Sequence, residues 1–221
     1  MDEARRHAWR IDERELARQQ ARRGRPHAYD TLDARRTALV VVDLVPFFFA
    51  DNPYVHGIVE PVNALAAVVR RQGGSVAWVS PRRTEPTAWQ VSFFGAEIAG
   101  RFAATVGDEP VRDRLWPGLE VEDGDLFADK SGPSAFDLED CDLHEQLAAR
   151  DVESLVVTGT VTDVCVTGTV RDAARLGYQV VVAADACAAP GDEAHNAALR
   201  TIYRAFGDVR SSADVHRLLG D

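Results

Sequence analysis

The stretch SLVVTGTVTDVCVTGTVRDAARLGYQVVVAAD, residues 154–185, decides the fold. It opens on a β-rich run, 154–159, and turns into a helical pattern over 163–176 that stops at Gly177. A second β-rich run follows, 179–185, ending in an acid. Strand, helix and strand in this order form a crossover unit, which makes the two strands parallel. Such crossovers are right-handed, so repeating the unit builds a sheet with helices on both faces.

The same grammar extends outward from this stretch. Toward the N-terminus lie strand patterns at 38–43 (ALVVVD), 75–80 (SVAWVS) and 125–130 (DLFADK). Helical patterns at 57–72, 94–106 and 142–150 separate or follow them. Toward the C-terminus come a helix over 191–206, a short strand near Val209 and a last helix over 212–219. The expected fold is α/β: a three-layer, doubly wound, Rossmann-like domain with a mostly parallel sheet. Residues 1–36 stand apart as an N-terminal helical arm, and 37–221 form the main domain. Within the arm, RIDERELARQQARRGR (10–25) is polar and charged with little apolar face, and its pattern stops at Gly24 and Pro26. It reads as exposed or docked on a partner subunit.

Composition narrows the function. The net charge of −10 argues against a nucleic-acid binder. No apolar run approaches the ~20 residues of a membrane helix, so no membrane partner is expected. The first 20 residues are charged and lack an apolar leader, which makes a reducing cytoplasm the expected location. Cys141, Cys165 and Cys187 show no zinc-ligand spacing and are expected to be free thiols. Of 25 basic residues 24 are arginine, and Lys130 is the one lysine.

In doubly wound sheets ligands bind beyond the carboxyl ends of the strands. Asp43, Lys130 and Asp185 end strands there, and Cys165 falls near the start of the next helix. A thiol at a helix N-terminus is expected to have a lowered pKa and to act as a nucleophile. Its alternative is a buried structural cysteine. Asp43, after a run of apolar residues, is a candidate base with a raised pKa, or else a carboxylate that caps a turn. Lys130 is a compact point charge able to hold both, or else a solvated side chain. GTVTDVC (159–165) offers backbone N–H groups for an oxyanion, and Thr162 or Asp163 as a helix cap.

Asp in VVVD, Lys in DKSGPSAF and Cys in TGTVTDVCVTGTVRDAARLGYQVVVAADA resemble the isochorismatase-like cysteine hydrolases, over roughly 37–210. The resemblance implies a six-stranded sheet and a catalytic triad of Asp43, Lys130 and Cys165. It also implies a cis peptide between Thr160 and Val161, with the N–H groups of Val161 and Cys165 as the oxyanion hole. The branch implied by the thiol is an amidohydrolase that cleaves an amide, carbamoyl or ureido C–N bond in a small molecule through a thioester. The alternatives are an isochorismatase-type vinyl-ether hydrolase, which needs no thiol, and a non-catalytic binding or scaffold protein on the same fold. The family implies a homo-oligomer, dimer or tetramer. The metal-binding members carry a D-x-H pair after the second strand. SPRRTEP (80–86) has none, and Asp51 and His56 lie in another loop, so neither metal nor cofactor is expected.

Phe48, Tyr54, Trp89 and Phe136 are candidate pocket walls, with core or oligomer contacts as the alternative. Arg83, or its neighbour Arg82, is a candidate for binding a substrate carboxylate, with a solvated loop arginine as the alternative. His195 is expected on the far side of the pocket or on a helix surface.

Overall fold

The computed structural model describes residues 4–50 and 52–220. Six β-rich runs pair into one sheet: β1 (Thr37–Val42), β2 (Ser75–Pro81), β3 (Leu126–Lys130), β4 (Ser154–Thr160), β5 (Gln179–Ala188) and β6 (Asp208–Arg210). Their order is β3-β2-β1-β4-β5-β6, and every pairing is parallel. The helices among the described residues are α1 (Glu13–Arg23), α2 (Pro46–Phe49), α3 (Pro53–Gly57), α4 (Val59–Arg71), α5 (Ala88–Phe94), α6 (Ala96–Ala103), α7 (Val111–Arg114), α8 (Leu143–Ala148), α9 (Thr167–Arg175), α10 (Asp192–Ala205) and α11 (Ser212–Leu218). None is long and apolar enough to cross a membrane.

The pleat of the strands divides the core in two. Ala38, Val40, Val42, Leu155 and Val157 point to one face, where Leu147 of α8, Val170 of α9 and Leu199 and Ile202 of α10 cover them. Leu39, Val41, Val156 and Val181 point to the other, against Val62, Leu65 and Val69 of α4 and Val215 of α11. Both faces are buried, which explains why the strands read as continuous apolar runs rather than alternating ones.

The chain runs outward from β1 to β3 on one side of the sheet and from β4 to β6 on the other. The point where this order reverses lies between β1 and β4, and loops leaving those two strands diverge to open a crevice. Gly159 fits this junction closely: its φ is +110°, and a Cβ there would stand 2.1 Å from the Val42 carbonyl oxygen. A larger residue would push β4 off β1.

Two helical patterns differ from the sequence expectation. The expected helix over 94–106 is α6, Ala96–Ala103, and a further helix, α5, precedes it, separated from it by Gly95, whose φ is +83°. α5 begins at a capping box formed by Thr87 and Gln90, a T-x-x-Q signal present in the sequence. The expected helix over 163–176 begins as a wide π-type turn, Thr162–Val166, which continues into α9.

The N-terminal arm docks on its own chain. Its helix α1 lies on α10, with Glu15 and Gln19 buried between them. Glu15 is ringed by Arg18, Arg200 and Arg204, which is how a helix with little apolar face finds a partner. Ahead of it, the Arg5 N–H donates to the Pro53 carbonyl at 3.0 Å. Gly57 admits this segment, since a Cβ there would stand 1.7 Å from the Arg5 carbonyl oxygen.

His7 is the wedge of this strap. Its ring is stacked between Tyr54, at 3.9 Å, and His195, at 4.1 Å. Nε2 accepts from the Ala189 N–H at 3.1 Å, so the proton of the neutral ring sits on Nδ1 and is donated to Asp192 at 2.6 Å. Burial lowers the His7 pKa despite Asp192 beside it, which keeps the ring neutral. Replacing His7 with alanine removes both stacks and leaves the Ala189 N–H without its acceptor. The expected cost is about 2 kcal/mol. In a chain of this size that corresponds to a melting temperature lower by roughly 4–8 °C. Thermal unfolding of the full chain checks it, and an unchanged melting point would show that the strap is not anchored at His7.

Candidate active site

β1 ends at Val42, and Asp43 turns the chain away from the sheet with φ +59°, a left-handed conformation that aspartate tolerates better than most residues. The turn buries its side chain completely. Lys130 is the last residue of β3, two strands away in the order β3-β2-β1. Two strand spacings are about 10 Å, a gap that the four-carbon stem of lysine bridges by lying along the strand ends. Its Nζ reaches Asp43 Oδ2 at 2.8 Å, the Cys165 Sγ at 3.6 Å and the Gly132 carbonyl at 3.1 Å. The ammonium is buried with its partners.

Cys165 sits in the wide turn after β4, half-buried, on the same side of the sheet edge. The Thr160–Val161 peptide that enters this turn is cis. The turn folds back on itself: the Val161 carbonyl accepts from Val164 at 3.0 Å and from Val166 at 3.2 Å, and the Val161 N–H faces the Cys165 sulfur. Thr162 is fixed from behind, its Oγ1 2.9 Å from Nδ1 of His195. The ring that stacks on His195 belongs to His7, so the strap, α10 and the cysteine turn form one continuous stack.

The electrostatics differ from the sequence expectation in one respect. A helix start alone would lower the thiol pKa, yet Cys165 is pushed up to about 12. Burial is the largest cause and the Asp43 charge the next; Lys130 opposes both and loses. Asp43 is raised by burial, with Lys130 pulling the other way. Lys130 loses charge stability through burial, but Asp43 and Cys165 together outweigh that and hold it raised. The resting state is therefore a protonated thiol beside a buried carboxylate–ammonium pair. Beside that ion pair, the Asp43 carboxylate has the Cys165 thiol as a hydrogen-bond partner. One cation serves two acids, so Asp43 and Cys165 share a single negative charge between them.

A cleft of about 440 Å³ opens beside the turn, lined by Phe47, Phe48, Pro53, Arg101, Val161 and Pro190 among others. A larger hollow of about 610 Å³, between Arg6, Glu60 and Asn63, shares no residue with this group and does not adjoin the thiol turn. The smaller cleft is the one that adjoins the cysteine turn, because Thr160 and Val161, which lead into it, form part of its wall.

Of the candidate pocket walls, Phe48 lines the cleft. Phe136 does not: it is fully buried in the core beneath the sheet, beside Tyr178. Tyr54 is covered by His7. Trp89 is 64% exposed on α5, stacked on Phe93. Arg83 points outward to Asp108 at 3.8 Å, and Arg82 pairs with Asp140. Neither arginine lines the cleft. Arg101, on α6, is the cation that does. Cys141 and Cys187 are buried, with burial pushing Cys141 to about 11. Asp185 holds the start of α11 through Ser212. His56 turns onto the Phe49 carbonyl at 3.0 Å, and Asp51 lies outside the described residues. His7, Phe47, Pro190 and Arg101 escaped the sequence reading.

The family model for the isochorismatase domain matches residues 37–214. An isochorismatase family protein of Escherichia coli O157:H7, YecD, is 31% identical over 191 residues, covering 83% of this chain and 96% of its own. The ureidoacrylate amidohydrolase RutB of Stutzerimonas stutzeri is 31% identical over 207 residues, covering 81% of each chain. Among solved structures, a cysteine hydrolase from Pseudomonas syringae pv. phaseolicola superposes with a TM-score of 0.75 at 25% identity, covering 89% of this chain and 98% of that one.

Proposed function

Since the chain belongs to the isochorismatase family of hydrolases, we propose that it cleaves the C–N bond of a small amide, carbamoyl or ureido compound through a thioester on Cys165. The observation that carries this reading is the position of Lys130 Nζ, 2.8 Å from Asp43 and 3.6 Å from Cys165. A vinyl-ether hydrolysis needs no thiol there. The resemblance to RutB, an amidohydrolase, supports the same bond class.

The high thiol pKa assigns Asp43 its work. At neutral pH the thiolate forms when the Cys165 proton moves to Asp43, and Lys130 stays paired with whichever of the two is negative. The charge count around Lys130 is unchanged, so the transfer avoids the cost of creating a lone buried charge. The thiolate attacks the substrate carbonyl, and the oxygen that becomes negative is held by the N–H groups of Val161 and Cys165. The C–N bond then breaks as Asp43 returns its proton to the leaving nitrogen, giving ammonia or an amine and a thioester. Asp43, again a carboxylate, takes a proton from water, whose oxygen attacks the thioester. The C–S bond breaks, the acid leaves, and the proton on Asp43 returns to sulfur. Nucleophile, proton carrier and counter-charge all come from the protein, so the reaction as proposed uses no cofactor.

The test is ammonia release from a panel of small carboxamides, carbamoyl and ureido compounds by the full chain. Release from at least one compound at enzymatic rates is expected. Turnover of a vinyl ether with no amide of the panel cleaved would overturn the reading.

A further inference from the structure

We propose that Arg101 binds a carboxylate of the substrate, which makes the substrate a short acidic amide with its carboxylate a few bonds from the scissile carbonyl. This rests on the amide-hydrolase reading above and adds to it the substrate's charge.

Three observations converge on Arg101. It lines the cleft whose wall also includes Thr160 and Val161, at the entry to the cysteine turn. It makes no ion pair among the described residues: Glu97 lies one turn back on α6 without engaging it, whereas Arg82 and Arg83 have carboxylate partners. The remaining wall is largely apolar, with Phe47, Phe48, Pro53 and Pro190. Lys130 cannot serve a substrate carboxylate, since it is buried against Asp43 and the two cancel. Arg101 therefore leaves the cleft with a free positive charge in a chain whose net charge is −10. An anion is repelled by most of this surface and attracted to the cleft.

The geometry also suits the division of labour. A guanidinium grips a carboxylate through two parallel N–H bonds and orients the molecule attached to it. Anchored at Arg101, a short acid can extend its amide toward Val161, which shares the cleft and leads into the turn that carries Cys165. The cleft volume of about 440 Å³ holds a molecule of small size rather than a polymer segment.

The experiment reads binding without depending on turnover. Cys165 is alkylated with iodoacetamide in the presence of N-carbamoyl-β-alanine or of its neutral methyl ester, and labelling is followed by peptide mass. In the wild-type chain the acid is expected to protect at concentrations at least tenfold below the ester. In Arg101→Gln that preference is expected to vanish, while Arg101→Lys retains part of it. Arg101 is exposed, so both variants are expected to melt with the wild type. Equal protection by acid and ester, protection by neither, or an undiminished preference in Arg101→Gln would overturn the proposal. Failure of the amide reading looks different: the acid still protects Cys165 through Arg101, but no amide of the panel releases ammonia.

Discussion

Replacing Cys165 with alanine is expected to lower amide turnover by roughly ten-thousand-fold or more, since it removes the sulfur on which the proposed covalent intermediate forms. The other two thiols do not substitute for it. Cys141 and Cys187 are buried in the core and outside the cleft. The fold is expected to survive, because Cys165 is half-buried at the sheet edge and its loss leaves the Asp43–Lys130 pair intact. A melting temperature within about 3 °C of the wild type is anticipated. Steady-state ammonia release, beside a thermal melt of the same preparation, measures both. A variant that melts normally and retains full activity would remove the nucleophile from the account.

The second large effect concerns the charge that Asp43 and Cys165 share. Asp43→Asn deletes the proposed proton acceptor, and turnover is expected to fall by roughly a thousandfold. The thiol should nevertheless become more reactive. Burial is the main reason that Cys165 stands at about 12, but the Asp43 charge is the next, and Lys130 pulls the opposite way. With asparagine in place, Lys130 is left facing the sulfur alone, and the thiol pKa drops. Each unit of that drop is a tenfold gain in thiolate at neutral pH. Alkylation of Cys165 by iodoacetamide at pH 7 is therefore expected to speed up by about tenfold or more while catalysis is lost. In the wild type the same alkylation should climb with pH throughout the range 7–9, because the thiol titrates above it. Slower alkylation in Asp43→Asn would mean that Asp43 serves to generate a resting thiolate, contrary to the electrostatics described above.

Lys130→Arg tests the same triangle from its third corner. Lysine reaches two groups from two strands away and is itself almost wholly buried. A guanidinium is wider and needs space that the site lacks, so a loss of about 1–3 kcal/mol in stability is expected. Turnover should fall by roughly a hundredfold or more, as the charge no longer centres between carboxylate and sulfur. Denaturant melts and ammonia release separate the two effects. Lys130 is the one lysine among 25 basic residues, and its burial supplies a physical reason for the exception.

How much of this was legible in the sequence depends on what kind of signal each residue carries. The valine-rich runs at 38–42, 154–157 and 180–182 are long, local and bounded by turn residues, and the parallel sheet follows from them. Strand ends then place Asp43, Lys130 and Cys165 along one edge, with no contact needing to be known. The pocket was much less readable. Phe136 and Phe48 both follow a strand-end candidate residue in the sequence, yet one is core and the other lines the cleft, because burial is decided by helices packed from elsewhere. Arg83 sits two residues after the end of β2, where the sequence predicts ligand contact, whereas Arg101 reaches the cleft because Gly95 folds α6 back on α5. His7 lies far from both Tyr54 and His195 in the chain, and a polar arm gives no periodic clue to a ring wedged between two others. The thiol pKa failed for a different reason. Helix position is visible in a sequence, but the burial and the neighbouring carboxylate that override it are properties of the folded site.

The proposed covalent intermediate at Cys165 is open to direct detection by mass spectrometry of the acid-quenched protein during turnover. With whichever amide of the panel releases ammonia, wild-type chain quenched in the steady state should carry an added acyl mass on the peptide containing Cys165, sensitive to hydroxylamine and missing from Cys165→Ala. Turnover at an undiminished rate by Cys165→Ala, with no adduct on either protein, would contradict it.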